Sequence, residues 1–522
     1  MNIKTLLLAT MLGSVSMTFA QHKVSGTVYA DLNKNGKKDG KEKGIANVQI
    51  SNGTEVVSTD KNGNYSIFVP EDATLFVIKP SGYQIPLDQY NLPKFYYTNK
   101  PNGSPKLKYG GVKPTGKLPK KINFGLYPAE ESEQFTSFVF GDPQTYTQEE
   151  VQFFIDGIIK DVDANQAIFG ISLGDLVGDD LVLHPEYKKA IQQINLPWYN
   201  VIGNHDMDYD ATIDEHSDET YEANFGPANY SFNYGKVHFI VLDDILYPDP
   251  RDGKGYWAGF REDQFQFIEN DLKFVPKDNL VVLAFHIPLM DNDSEWFRVE
   301  DRNRLFELLK DFPNTVSLSA HTHIQQQLFY DKEQGWKQDK PHHEYNVGTT
   351  SGDWYSGLTN KQGVPASTMR DGTPKGYALM HFDGNQYKVD YKVAGENPEY
   401  QINIFTPKTA EFSNPRNRHF IYANFFMGKK GDDVQYRIDN GEWKNMTFVE
   451  EPDPAYLSQY YQWDLATNGI KERRPSQAML SSHLWRTNIP KNLSAGKHTV
   501  EVKATDMYGK TTISKAQFQV AK

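Results

Sequence analysis

Between residues 134 and 395, short continuous apolar runs alternate with stretches in which apolar positions recur at helical spacing. Phe135 to Phe140 and Ala167 to Leu173 read as strands, since short, mostly apolar runs followed by Gly-Asp suit strands covered on both faces. Glu149 to Val162 places Val151, Phe154, Ile155, Ile158 and Ile159 on one helical stripe. A helix from Pro185 to Ile194 follows, then a strand from Trp198 to Ile202 and a β-pair, Tyr230 to Tyr234 and Val237 to Leu242. Helices at Asp263 to Leu272 and Arg302 to Leu309 flank the strand Leu280 to Phe285, and Thr315 to Ser319 is the next strand. This alternation predicts a layered α/β domain.

On both sides the pattern shortens to strands alone. Val24 to Val28, Val48 to Ile50, Tyr65 to Val69 and Leu75 to Ile78 are β-branched or aromatic runs separated by Gly, Asn, Asp and Pro. They predict an N-terminal β-sandwich over residues 21–127. Within it, Asn99 to Lys121 is rich in Gly, Pro and Lys and reads as a linker or a long loop lying on a neighbour. Over residues 400–522, His498 to Ala504 alternates cleanly and Asp506 to Gly509 turns into Thr511 to Val520. An all-β, immunoglobulin-like domain is expected there, with Trp443, Trp463 and Trp485 as packing or edge residues. Residues 1–20 read as a cleavable secretion signal, with Lys4, an apolar run from Leu6 to Met17 and small residues around Thr18-Phe19-Ala20. Gly13, Ser14 and Ser16 break that run short of a membrane span. No later stretch is long and apolar enough to be one, so the expected product is periplasmic or secreted.

At 522 residues, 38% hydrophobic and 23% charged, the chain suits a globular protein of about three domains. A net charge of −12 argues against nucleic acid as a partner and leaves a small phosphate ester, held through cations, as a compatible one. The absence of cysteine excludes disulfides, thiolate metal sites and cysteine nucleophiles.

Chemistry concentrates where the predicted strands of the α/β domain stop. Their ends read Gly141-Asp142-Pro143-Gln144, Gly174-Asp175, Gly203-Asn204-His205-Asp206, His286 and His321-Thr322-His323. Open α/β sheets place ligands at that edge. Carboxylates, amide oxygens and imidazoles without sulfur suit Mn, Fe or Zn, and a pair of such ions can clamp a phosphoryl group. A second ligand-rich stretch, Asp31, Asn33, Asn35, Asp39 and Glu42 with Gly36 at the turn, follows the twelve-residue calcium-loop spacing. It also reads as an ion-free hairpin turn, diluted by lysines 34, 37, 38, 41 and 43.

The strand-end series resembles the calcineurin-like metallophosphoesterases over roughly residues 134–395, and the flanking β-regions are similar in layout to exported bacterial members. The resemblance implies a central four-layer α/β/β/α sandwich. It also implies one ion on Asp142, Gln144, Asp175 and His323, and a second on Asp175, Asn204, His286 and His321. Attack by a metal-bridging hydroxide on a phosphomonoester or phosphodiester would follow, with His205 assisting the leaving group and Asp206 tuning its charge. Gln144 stands where many members carry His, which shifts preference toward harder ions such as Mn²⁺ or lowers occupancy of the first site. Ala320 replaces the usual Gly, and Gly178 stands where purple acid phosphatases carry a ligating Tyr. Trp354 and Tyr355 are candidate substrate contacts, and His184, Tyr209 and His216 lie in loops near the same edge. The alternative is a non-catalytic envelope or glycan-binding protein on the same scaffold, which metal analysis and a phosphate-ester assay separate.

Overall fold

The computed structural model describes residues 22–289, 296–414 and 416–521. The secretion signal read from residues 1–20 lies outside them. The central domain contains β1 (Gln134–Phe140), β2 (Phe169–Leu173), β3 (Trp198–Val201), β4 (Tyr230–Tyr234), β5 (Val237–Val241) and β6 (Leu280–Ala284). It continues with β7 (Asn314–Ser319), β8 (Gln326–Tyr330), β9 (His342–Asn346), β10 (Gly376–Asp383) and β11 (Gln386–Val393). One sheet has the order β3-β2-β1-β10-β11, the other β4-β5-β6-β7-β9-β8.

Within the first sheet β1, β2 and β3 are parallel, and within the second β5, β6, β7 and β9 are parallel. Parallel strands are covered on both faces, and β2, β5 and β6 are buried along their whole length. The sheets pack against each other through aromatic rings. Phe169 of β2 meets Phe239 of β5 at 5.5 Å, and Phe382 of β10 meets the same ring at 5.6 Å. The helices are α1 (Gln148–Gly157), α2 (His184–Gln192), α3 (Glu219–Phe225), α4 (Glu262–Leu272) and α5 (Val299–Leu309). The Thr147 hydroxyl caps α1 by accepting the Glu150 N–H. The helix ends at Gly157, short of the expected Val162, and a 3-10 turn takes over at Ile159–Asp161. The hairpin β10–β11, which completes the first sheet beside β1, carries no expected strand in the sequence reading.

The N-terminal region forms two four-stranded sheets. Its core runs without a break into the central domain, with Phe76 against Phe267 at 5.7 Å and Phe95 against Tyr230 at 5.1 Å. The Asn99 to Lys121 stretch lies on its neighbour. Its Lys108 N–H donates to the Asp210 carboxylate at 2.7 Å, and its Tyr109 hydroxyl donates to the Asp179 carbonyl at 2.9 Å. The C-terminal region also has two sheets, but Ile402, Ile421, Val434, Trp485, Val500 and Phe518 form a core of their own. The expectation of strands alone is corrected there by the helix α6 (Pro454–Leu465), which the Asp453 carboxylate caps. Among the described residues, no helix is long and apolar enough to cross a membrane.

Candidate metal centre

The five strand ends β1, β2, β3, β6 and β7 deliver their polar residues to one place, and the backbone there is unusual. Asp142 and Gln144 have φ of 37°, Asp175 48°, His321 66° and His323 52°. Left-handed non-glycine backbone costs energy and clusters where function requires it. Two glycines allow the close approach. A Cβ on Gly203 would lie 2.2 Å from Asp175 Oδ1, and one on Gly174 would lie 2.6 Å from His286 Nδ1.

The side chains form two adjoining groups. In one, His286 Nε2 is 3.3 Å from Asp175 Oδ1, 3.2 Å from Asn204 Oδ1 and 3.1 Å from His321 Nδ1. In the other, His323 Nε2 is 3.2 Å from Asp142 Oδ2. The His321 N–H donates to Asp142 Oδ1 at 3.0 Å, and the Gln144 N–H donates to the Asp175 carbonyl at 2.7 Å, which ties the groups together. The rings are oriented from behind: His286 Nδ1 by the Leu173 carbonyl at 2.7 Å, His323 Nδ1 by the Gly352 carbonyl at 2.6 Å. Outer-shell acceptors of this kind fix the tautomer of a ligating histidine.

These residues fit metal ions by a test independent of residue type. Asp142 Oδ2, Gln144 Oε1 and His323 Nε2 are buried and have no hydrogen-bond partner. Buried polar atoms are nearly always hydrogen-bonded, so three in one cleft that are not, two of them facing each other at 3.2 Å, suit a cation placed among them. Among the described residues, Asp175, His286 and His321 form the one group of three acidic or imidazole side chains whose ligand atoms all lie within 4.8 Å. Burial disfavours charge on these groups, yet Asp175 and Asp142 hold His286 up at about 10. Burial and the neighbouring His286 push His321 down to about 3. Burial raises Asp175, but the surrounding imidazoles, His286 foremost, carry it below the usual carboxylate range.

His205 sits at the rim, with its side chain one-quarter exposed. Its N–H donates to Asp175 Oδ1 at 2.9 Å, and its ring Nδ1 pairs with Asp179 Oδ1 at 2.6 Å. Burial works against protonation, but Asp175 and then Asp179 raise His205 to about 9. The expected role of Asp206 is therefore corrected. Its buried carboxylate accepts the N–H groups of Leu176, Val177 and Gly203 and pairs with His184 Nε2 at 3.2 Å, so it braces the turn below the site. Tyr355 is also corrected: it is 3% exposed and donates to the Pro143 carbonyl at 2.5 Å, as a core residue. Trp354 stacks on His323 at 3.9 Å. Tyr209 lies beside the centre, donating to the Asn204 carbonyl at 2.6 Å. His184 is fully buried, and His216 lies in the 3-10 turn Asp214–His216. Sequence reasoning missed Asp179, whose adjacency to Asp180 gives no sign of which one turns inward. It also missed Tyr146, whose ring lies 5.9 Å from that of His205 and lies where a Gly178 Cβ would fall.

The N-terminal loop is a contrast. Asp31 accepts the N–H groups of Asn35 and Gly36, and Glu42 accepts those of Leu32 and Asp39. Asp39 accepts the side-chain amides of Asn33 and Asn35 at 2.7 and 3.0 Å. Asp31, Asp39 and Glu42 do not form a convergent ligand group.

Three family profiles match the chain in succession. They are the N terminal of calcineurin-like phosphoesterase over residues 32–109, calcineurin-like phosphoesterase over 138–325, and the C terminal of calcineurin-like phosphoesterase over 344–511. No curated protein matches the chain. Among solved structures, the purple acid phosphatase PPD1 from yellow lupin (Lupinus luteus) seeds is 13% identical, with 67% of this chain and 69% of that one covered at a TM-score of 0.37. GAP50, the anchor in the inner membrane complex of Plasmodium, is 14% identical, with 49% and 84% covered at a TM-score of 0.31.

Proposed function

Because the chain belongs to the calcineurin-like phosphoesterases, we propose that it hydrolyses small phosphate monoesters or diesters with two divalent ions, and that it acts outside the cytoplasm. The ions would be held by Asp142, Gln144, Asp175 and His323 on one side and by Asp175, Asn204, His286 and His321 on the other. A central four-layer α/β/β/α order is part of this reading, as is an immunoglobulin-like C-terminal module. The observation that carries the reading is the set of buried atoms without partners, Asp142 Oδ2, Gln144 Oε1 and His323 Nε2, beside the convergent Asp175, His286 and His321.

Two bound ions supply Lewis-acid polarisation of the phosphoryl group and a nucleophile from water at neutral pH. The polypeptide supplies the rest. Asp179 engages Nδ1 of His205 and leaves Nε2 as the ring nitrogen available to a leaving oxygen. The His205 N–H in turn holds Asp175 in place through Oδ1. Gln144 brings a neutral oxygen where an imidazole would bring a softer donor, which favours Mn²⁺ over Zn²⁺ in that position. The test is metal analysis of the purified protein together with hydrolysis of an aryl phosphate and a bis-aryl phosphate, with and without added Mn²⁺. Two ions per chain and Mn²⁺-dependent turnover are expected. A protein that takes up no ion, or takes up both and hydrolyses neither ester, contradicts the proposal.

A further inference from the structure

The turn from His321 to Gln325 is gripped by loops that the C-terminal module holds in turn. His323 Nδ1 meets the Gly352 carbonyl at 2.6 Å. The next residue, Asp353, is fully buried and accepts the Ser476 N–H at 2.7 Å, with the Tyr456 hydroxyl at 3.4 Å. Trp354, stacked on His323, gives its carbonyl to Arg473 Nη1 at 2.9 Å, and the Arg473 carbonyl accepts the Gly357 N–H at 2.9 Å. A second path runs through Arg370. Its guanidinium donates to the Thr322 carbonyl at 2.6 Å, and its own carbonyl accepts the Met479 N–H at 3.0 Å. A third runs through Asp371, which accepts the Gln325 N–H at 2.8 Å and pairs with His483 Nε2 at 3.0 Å.

We propose that the C-terminal module is a positioning element of the metal centre, with Asp353, Arg473 and His483 fixing the His323 imidazole through residues 352–357 and 370–371. The proposal rests on the reading of His323 as a metal ligand. Phe426 and Met427 of the C-terminal region pack into the core of the central domain, while most of its other buried apolar residues form a core of their own. Beside that apolar contact runs a polar network, buried at Asp353, Asp371 and His483 and exposed at Arg473, whose directional bonds favour one geometry. Three of its branches end on a single turn of five residues. Outer-shell partners of a ligating histidine alter metal affinity by about 10- to 100-fold.

The test is Mn²⁺ titration of the metal-free full-length protein by calorimetry, with the paramagnetic resonance of the bound Mn²⁺ as a second readout. The wild type is measured first, and failure to bind a pair of ions ends the metal reading itself before any variant is made. Arg473→Ala, at an exposed position, should weaken one of the two ions by roughly tenfold and leave the other within about twofold. Arg473→Lys, which still donates to the Trp354 carbonyl, should recover most of the affinity. Asp353→Ala should show a larger loss at the same ion, and if that variant does not fold, the Arg473 pair decides alone. Wild-type affinities for both ions in folded Arg473→Ala, or equal weakening of both ions, overturns the proposal.

Discussion

His321 and His323 leave the end of β7, whereas His342 and His343 open the neighbouring strand β9, and the two pairs are held in opposite ways. His342 places Nδ1 2.8 Å from Thr315 Oγ1 and Nε2 2.7 Å from Ser317 Oγ. His343 places Nδ1 2.7 Å from the Tyr387 hydroxyl and Nε2 2.7 Å from Gln327 Oε1. Every ring nitrogen of that pair has a protein partner, and the backbone is ordinary strand. In the β7 pair both residues are left-handed, and His323 Nε2 is buried with no hydrogen-bond partner, facing only the Asp142 carboxylate at 3.2 Å. Residue type is shared, and His323 is as buried as His342 and His343. What separates a core histidine from a candidate ligand is an unfilled bonding position, maintained at a cost in backbone strain.

That contrast can be broken most sharply at the candidate ligands. His323→Ala should lose one ion per chain and fall to the background rate of ester hydrolysis, whereas His343→Ala should keep both ions; metal content and turnover measured side by side decide this. Next in size, His205→Ala should retain both ions while kcat drops about 10²- to 10⁴-fold, the usual span for a general acid. Loss of an ion in that variant would make His205 a ligand. Third, His343→Ala should destabilise the fold by about 1 kcal/mol, because it removes the hydrogen bonds of the part-buried Tyr387 hydroxyl and Gln327 oxygen; urea denaturation measures it.

A pH effect follows from the same pair. Burial pushes both His342 and His343 down to about 3 in the folded protein. The unfolded chain therefore binds more protons than the folded one between pH about 6.5 and 3, so stability is full above that window and falls as pH drops through it. The expected slope is about 1.4 kcal/mol per pH unit for each group within the window. His342→Gln should remove one such contribution, and an unchanged slope would show that the imidazole titrates in the fold. The smallest effect is expected at the Asp31 to Glu42 loop, whose carboxylates already accept protein N–H groups. Millimolar Ca²⁺ should move Tm by less than about 1 °C, since a ligand weaker than its concentration adds little stability. A rise of several degrees would restore the calcium assignment.

The strand ends were legible in the sequence because parallel strands buried on both faces are written as short runs rich in apolar residues and free of charge, and the residues after them must be at the sheet edge. The loops beyond were not. Asp179 and Asp206 both follow strand ends within a few residues, and only the folded loop decides that Asp179 meets His205 while Asp206 turns down onto Leu176 and Val177. Trp354 and Tyr355 are adjacent and both left-handed, yet one ring covers His323 and the other enters the core. The hold of Ser476, Met479 and His483 on loops more than a hundred residues earlier left no local mark, because hydrogen bonds between groups so remote in sequence impose no periodicity.

The most direct measurement is anomalous diffraction from crystals grown with Mn²⁺. Two peaks about 3.5–4 Å apart, with Asp175 between them and Asp142 and His323 on one, His286 and His321 on the other, are the predicted result. Mn²⁺ bound elsewhere, with Asp142, Asp175 and His323 left bare, would contradict the assignment of this cleft as a two-metal phosphoesterase centre.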